Sequence, residues 1–504
     1  MLAKVFSAAL LGIEGIIVEV EVKTSFGLRS FEIVGLPDKA VEESKARVSV
    51  AIESSGYENP LSKPIKILVS LAPADLKKEG SVYDLPIALG FLLAEKIINF
   101  NPKEKLIVGE LSLDGRIRKI KGAISFALLA KKLGYKEIIL PRENLNEVRM
   151  VQGIKIVAKS YLKEVIDYLE NGEKENKSEK ETIKENEIKE DYEIDFNQIK
   201  GQELAKRALE ICASGGHHLL MLGPPGTGKT ILAKALPSIL PPLSLEEMFE
   251  LTKIYSSAGL LEKEGLITKR PFRSPHHSCS RTAMLGGGNP FKPGEITLAH
   301  KGILFLDEFP EFHRDVLEGL RQPLEEGKIF LSRAKYSFSL PSSFTLVAAS
   351  NPCPCGNFGN FEKECRCSPS QIKMYQRKLS GPLSDRIDLF IEVPPLKYEK
   401  LKEKETSITE KIRERVKKAR EIQKERLKGE KLNAQMSIKE IKEYCHIDLK
   451  SENLLKKYVD SGKLSVRGYH KVLKVARTIA DLEGKEKISF ENVSEALMYR
   501  QRED

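Results

Sequence analysis

The chain's first clear signal is alternation: Val18, Val20 and Val22 are interleaved with Glu19, Glu21 and Lys23. A period of two predicts a half-buried strand. The same reading predicts further strands at "KILVSLAP", "KLIVGELSL", "EIILP" and "IKIVA", and amphipathic helices at "DKAVEESKARVSVAIESSG" and "AISFALLAKKLG". From about residue 196 the pattern changes. Short, wholly apolar runs ("HLLMLG", "GILFLDE", "FTLVAASN") alternate with helical stretches. Runs of that kind are strands buried on both faces, so an α/β fold with a helix-covered parallel sheet is expected. Beyond "VPPL", near residue 395, the spacing is helical to the end, and "EKIRERVKKAREIQKERLKGEKL" reads as a solvated helix.

One segment interrupts these patterns. Residues 170–193, "ENGEKENKSEKETIKENEIKEDYE", are dense in Glu, Lys and Asn with isolated Ile as the aliphatics. Such a stretch cannot bury enough surface to fold alone and is expected to be a linker. The expected division is therefore an α/β domain over 1–169, the linker over 170–193, a P-loop sheet domain over 194–395 and a helical lid over 396–504. A length of 504 residues suits several domains.

Composition narrows the class. Hydrophobic residues make up 41% and charged residues 31%, the balance of a soluble globular chain. Glu14 interrupts the apolar N-terminus, and no apolar run reaches membrane-spanning length, so a cytoplasmic protein with no membrane partner is expected. In that compartment thiols tend toward metals or catalysis more than toward stable disulfides. The net charge of +10 fits a polyanion partner or simply a Lys/Glu-rich solvated surface.

The strongest chemical motif is "GPPGTGKT": Gly223, Pro224, Pro225, Gly226, Thr227, Gly228, Lys229 and Thr230. It fits the phosphate-binding loop pattern, with an apolar strand before it and a helix after it. The glycines let backbone N–H groups approach phosphate oxygens, Lys229 is expected to reach the β- and γ-phosphates of ATP, and the Thr230 hydroxyl to ligate Mg²⁺. In "GILFLDE", Asp307 is expected to hold the Mg²⁺ shell and Glu308 to orient or deprotonate the attacking water. Asn351, ending "FTLVAASN", is placed to contact the γ-phosphate or that water. "GPLSDRID" offers Arg386, and "LSVRGYHKVLKVARTIADL" offers Arg467 and Arg477.

Together these motifs resemble an AAA+ ATPase. The longer segments "RPFRSPHHSCSRTAMLGGGNPFKPGEITLAHKGILFLDEFPEF", "LRQPLEEGKIFLSRA", "NPCPCG", "SGPLSDRID" and "VARTIADLEG" resemble the Mg-chelatase-like ComM/YifB family over nearly the whole chain. The resemblance implies that Arg386 is an arginine finger reaching a neighbouring subunit's nucleotide. It implies that Arg467, or else Arg477, is the sensor-2 residue, and that the assembly is a hexamer. For function it implies a helicase that promotes branch migration of recombining DNA in natural transformation. A magnesium chelatase motor subunit and a protein-remodelling ATPase remain alternatives. By the same resemblance Arg270, Arg273, Arg333 and Lys335 face the ring's channel, where basic side chains suit single-stranded or branched DNA.

"GELSLDGRIRKIKGAISFALLAKKLGYKEIILPREN" resembles the proteolytic domain of the Lon family, so a Lon-protease-like N-terminal domain is expected. Its Ser-Lys dyad is not: Ile124 stands at the lysine position, and "EGSVYDLP" puts Ser81 one residue out of place. A serine without a positioned base is a weak nucleophile.

Finally, "NPCPCGNFGNFEKECRC" gathers Cys353, Cys355, Cys365 and Cys367. Four thiolates suffice for a closed tetrahedral Zn²⁺ site, although Cys-x-Cys is tighter than the usual Cys-x-x-Cys knuckle; free thiols and a disulfide are the alternatives. His276 and His277 are expected near the pore, and Cys212, Cys279 and Cys445 as isolated structural thiols.

Overall fold

The computed structural model describes residues 1–172, 192–261, 265–288, 291–332, 337–359, 363–379, 383–396, 400 and 408–500. Most of the expected linker, together with Arg333 and Lys335, lies outside the described residues. The chain forms two compact units. The first comprises Met1–Glu187 with Ser244–Thr268, and the second Ile188–Leu243 with Lys269–Asp504.

The first unit is built on β1 (Leu2–Leu11), β2 (Glu14–Phe26), β3 (Ser30–Val34), β4 (Ile65–Ala72), β5 (Lys105–Ile107), β6 (Glu137–Pro141) and β7 (Lys155–Lys159). They form one seven-stranded sheet in the order β3-β4-β2-β1-β5-β6-β7. The alternation at the N-terminus is the β2 pattern: Val18, Val20 and Val22 are fully buried, and β2 pairs antiparallel with both β1 and β4.

The unit's other component comes from far along the chain. Ser244 caps the helix Leu245–Ala258 through a reciprocal bond with Glu247. Phe249 of this helix, and Leu266 after it, pack on the core formed by Leu106, Phe126, Ala127 and Ile138. Ser256 accepts from the Gly122 N–H at 2.7 Å and donates to the buried Glu147 carboxylate. Glu147 also accepts from the Ile124 N–H at 2.9 Å and from Asn144 Nδ2 at 3.0 Å. Burial raises the pKa of this carboxyl despite those three donors. Residues 244–268, expected within the ATPase segment, thus complete the first unit's core.

The second unit holds a five-stranded sheet of β8 (Leu219–Leu222), β9 (Phe272–Arg273), β10 (Ile303–Leu306), β11 (Thr345–Ser350) and β12 (Leu389–Glu392). The order is β9-β10-β11-β8-β12 and every pairing is parallel, as the apolar runs predict. The helical C-terminal region shares this sheet's core. Val472, Val475, Ala476 and Ile479 of helix Val466–Leu482 belong to one cluster with Leu219, Phe305, Val347 and Leu389. The helix Thr409–Leu427 departs from its expected solvation: Ile412, Val416, Ala419 and Gln423 are buried along one stripe. Its dense charge masked a narrow apolar face at helical spacing.

Replacing Ser256 with Ala removes one donor from the buried Glu147 carboxylate and the acceptor of the Gly122 N–H. We expect a loss of about 1–3 kcal/mol in the first unit. The measurement is amide hydrogen exchange across Leu245–Ala258 in the full-length protein, which should accelerate there and leave β8–β12 unchanged.

Candidate active site

β8 ends at Leu222, and the chain turns through Gly223–Gly228 into the helix Lys229–Ala235. Gly228 sits at φ 90°, a left-handed conformation that glycine adopts without steric cost. Gly223 is required for space, since a Cβ there would stand 2.3 Å from the Val393 carbonyl oxygen. The loop therefore delivers backbone N–H groups and the positive end of a helix to one place. Lys229 Nζ donates to the carbonyls of Gly223 at 2.6 Å and Pro224 at 2.8 Å, and lies 3.4 Å from Asn351 Oδ1. Burial lowers the lysine's pKa, and the nearby Asp307 opposes that shift.

Two neighbouring strands supply the acidic and amide groups. Asp307 directly follows β10, and its Oδ2 accepts from the Thr230 hydroxyl at 2.9 Å. The pair offers an oxygen set suited to a small divalent cation beside the loop. Glu308 adopts φ 51°, a left-handed conformation uncommon outside glycine, and its N–H is held by Asp307 Oδ1 at 2.9 Å. Asn351 directly follows β11, next to β8 in the sheet.

The sequence reading missed one member of this site. His277 Nδ1 lies 3.2 Å from Glu308 Oε2. Its ring lies tilted against that of His276 at 4.1 Å and meets Phe312 edge-on at 6.5 Å. His277 thus borders the acidic pair, while His276 Nδ1 lies 2.8 Å from the Ser278 hydroxyl. Only the sheet order, which sets β9 beside β10, brings positions 277 and 308 together. The gathered groups can hold a phosphate chain, coordinate a divalent cation and present a carboxylate with one oxygen restrained by an imidazole.

Arg386 lies elsewhere. β8 and β12 run parallel with Leu219 opposite Leu389, so Arg386, three residues before β12, is at the amino edge of the sheet. The P-loop follows the carboxyl edge, and the four-residue strands between them span about 13 Å. The Arg386 guanidinium pairs with Glu325, whose side chain is 56% exposed. Arg467 belongs to the same edge, with Nη1 3.6 Å from Asp385 Oδ2. Arg477 is buried: it donates to the carbonyls of Lys485 and Glu486 and pairs with Asp481, so its charge is committed to the helical region.

Two expected channel residues are also committed inward. Arg270 is buried and donates to the carbonyls of Pro241 at 2.7 Å and Lys301 at 2.8 Å. Arg273 forms a bidentate pair with Glu295 at 2.6 and 2.8 Å. Their guanidiniums satisfy internal acceptors, which corrects the expectation that they face a channel.

The four clustered cysteines converge. Cys353 Sγ lies 3.4 Å from Cys355 Sγ and 3.7 Å from Cys365 Sγ, and Cys355 and Cys365 are 3.6 Å apart. All four sulfurs, Cys367 included, lie within 4.8 Å of one another. These are free thiols, well beyond the S–S bond length of about 2.0 Å. A tetrahedron with metal–sulfur bonds of about 2.3 Å has sulfurs about 3.8 Å apart, so the set fits Zn²⁺. Backbone N–H groups of Asn357 and Arg366 push the Cys355 thiol down to about 6. The loop abuts the phosphate cradle: a Cβ on Gly356, at φ 79°, would stand 2.7 Å from Pro225 Cδ. Cys212 and Cys445 are buried, and Cys279 is partly exposed.

In the first unit, Ser81 donates its hydroxyl to Glu110, and Ile124 is fully buried. Lys78 is buried with its ammonium on the Pro73 carbonyl. A serine paired to a carboxylate, with an isoleucine at the lysine position, lacks the dyad's arrangement.

Comparison with known proteins agrees with this geometry. The family described as "Magnesium chelatase, subunit ChlI" matches residues 195–401, "Subunit ChlI of Mg-chelatase" matches 20–144, and "Magnesium chelatase, subunit ChlI C-terminal" matches 406–500. The competence protein ComM of Haemophilus influenzae is 43% identical over 99% of this chain and 97% of its own length. The uncharacterised protein YifB of Escherichia coli is 42% identical over the same shares. Lon protease 2 of Bacillus subtilis is 29% identical over 32% of this chain and 33% of its own. With full-length relatives at this identity and a nucleotide cradle assembled at one sheet edge, the chain belongs to the Mg-chelatase-like ComM/YifB family of AAA+ ATPases.

Proposed function

We propose that the protein is a ring-forming, DNA-dependent ATPase, a ComM-like branch-migration helicase that supports recombination in natural transformation. The observation that carries this reading is the full-length similarity to a competence protein in a chain whose ATPase groups are all present. Lys229 binds the β- and γ-phosphates, Thr230 and Asp307 hold Mg²⁺, Asn351 senses the γ-phosphate, and Glu308 activates water. When bound, Mg²⁺ supplies neutralising charge to the phosphates. Arg386 acts as a finger on a neighbouring subunit, because its own cradle is at the far edge of the sheet. It pairs with Glu325, and a charge-assisted contact to phosphate would take the place of that pair. A finger used between chains requires an assembly, and the family's hexamer satisfies that. Arg467, on the same edge, is the sensor-2 residue. DNA, single-stranded or branched, is the partner, and the protein works in the cytoplasm. Among the described residues no helix is long and apolar enough to cross a membrane.

ATP turnover with and without single-stranded or branched DNA tests this reading. DNA should stimulate hydrolysis, and its affinity should fall steeply with salt. No stimulation, with no binding at low salt, would point to a protein-remodelling ATPase. Glu308→Gln should retain ATP binding and lose about 10²–10⁴-fold in turnover. Turnover like that of the unsubstituted protein would remove Glu308 as the base.

We also propose that the four cysteines hold one Zn²⁺ as a structural clip. Elemental analysis of protein purified without chelators should find close to one zinc per chain. The double substitution Cys353→Ser, Cys355→Ser should release it, since hydroxyls do not replace thiolates at zinc. Because Gly356 rests on Pro225, metal loss should weaken nucleotide binding. Four freely titratable thiols with no stoichiometric metal would refute the clip.

A further inference from the structure

The turn that carries Arg386 is gripped on both sides by one face of one helix. Arg467 and Lys471 are four residues apart on helix Val466–Leu482, so their side chains share a face. Arg467 reaches Asp385, on one side of Arg386. Lys471 Nζ donates to Asp388 Oδ1 at 2.7 Å, on the other side. The two pairs differ in environment. Arg467 and Asp385 have side chains 71% and 49% exposed, whereas those of Lys471 and Asp388 are 16% and 6% exposed. An exposed pair holds little, but a buried one is costly to break, because separation leaves a charge without a partner in the interior.

Asp388 is held from every direction. Its Oδ2 accepts from the His218 N–H at 3.1 Å and lies 3.5 Å from His217 Nδ1. Its own N–H, and that of Leu389, donate to the His218 carbonyl. His217 Nε2 lies 2.8 Å from the Thr478 hydroxyl, two helical turns along from Lys471. Burial opposes the Asp388 charge, yet the Lys471 ammonium and the two imidazoles outweigh it and hold the carboxyl well below its usual range. The start of β12 is thus fixed jointly by the start of β8 and by the helix.

The geometry points to Lys471–Asp388 as a buried linkage through which helix Val466–Leu482 positions Arg386, making both members positioning residues for hydrolysis at a neighbouring subunit. This rests on the reading of Arg386 as a finger acting across subunits. The linkage touches no group of the chain's own P-loop, so it governs what a subunit gives its neighbour and not what it binds itself. Displacing a reacting group by about 1 Å costs up to about 10²-fold in rate.

The test uses full-length protein. Lys471→Met should lower kcat by about 10- to 100-fold while KM for ATP stays within about twofold. Lys471→Arg, which keeps the cation, should recover most of that loss. The double variant Lys471→Met, Asp388→Asn removes both charges, keeps the fold if the single change loosens it, and should show the same kcat defect.

Mixed rings then give the direction of the effect. Lys471→Met subunits should regain activity when mixed with Lys229→Ala subunits, which carry intact fingers. They should regain none when mixed with Arg386→Ala subunits. Unchanged kcat in both charge-removing variants, a KM effect with kcat preserved, or equal recovery with both partners would overturn the linkage. The reference mixture of Arg386→Ala with Lys229→Ala separates the two readings. If it regains nothing with mixed assembly verified, the trans finger is lost, and the linkage is judged on the kcat and KM of the single chain variants.

Discussion

The parallel register of β8 with β11 and β12 is the constraint on which the second unit depends. Parallel strands place all their carboxyl ends on one edge, and this edge collects the P-loop after β8, Asn351 after β11 and Asp307–Glu308 after β10. No single element could present an ammonium, a hydroxyl–carboxylate pair and an amide to one phosphate chain. The same register sends everything preceding a strand to the opposite edge, where His217, His218, Arg386 and Asp388 gather. One edge receives nucleotide; the other has the cation but no cradle. The sheet's polarity therefore separates the nucleotide-binding groups from Arg386 by the length of the strands.

The boundaries between segments obey packing more than sequence order. The helical C-terminal region does not form a core apart from the sheet: Val472, Val475 and Ile479 share one with Leu219 and Phe305. Conversely, Leu243 and Lys269 bracket a helix whose apolar face is used in the first unit, where Phe249 and Leu266 are packed and Ser256 serves a buried carboxylate. The excursion begins shortly after the P-loop helix and ends just before β9. It leaves the sheet at a point where its order, β9-β10-β11-β8, requires a long crossover in any case.

What was legible in the sequence follows the range of the interactions involved. The P-loop, Asp307, Glu308 and the apolar strands are local patterns, in which residue type and near neighbours carry the physics. The four cysteines were legible as a set because their loop is short enough to close on itself. The helix capped by Ser244 was not read as part of the first unit, because Ser256 and Phe249 find Glu147 and Phe126 only through contacts distant in sequence. Arginines were read least well. Arg270, Arg273 and Arg477 carry the same charge as an exposed arginine, and only the carbonyls and carboxylates around them show that the charge serves the interior. The contact of His277 with Glu308 was not legible for a similar reason: it depends on two strands lying side by side in the sheet.

These placements divide stabilisation from chemistry in a consistent way. At the carboxyl edge the reactive groups are held by short, rigid devices: glycines that admit the Val393 carbonyl and Pro225, and a cysteine loop pressed against the cradle. Such devices fix geometry without depending on distant segments, as suits groups that must meet a phosphate chain within a few tenths of an ångström. At the amino edge Arg386 sits on a turn held from the helical region through one buried charge pair and one exposed pair. A buried pair is a poor source of stability but a good switch contact, because it is directional and tolerates few intermediate positions. The cradle is thus held by local contacts, and the Arg386 turn by contacts from a helix distant in sequence. The two edges of one sheet are therefore stabilised by different means: close backbone packing at the carboxyl edge and charge pairs from a distant helix at the amino edge.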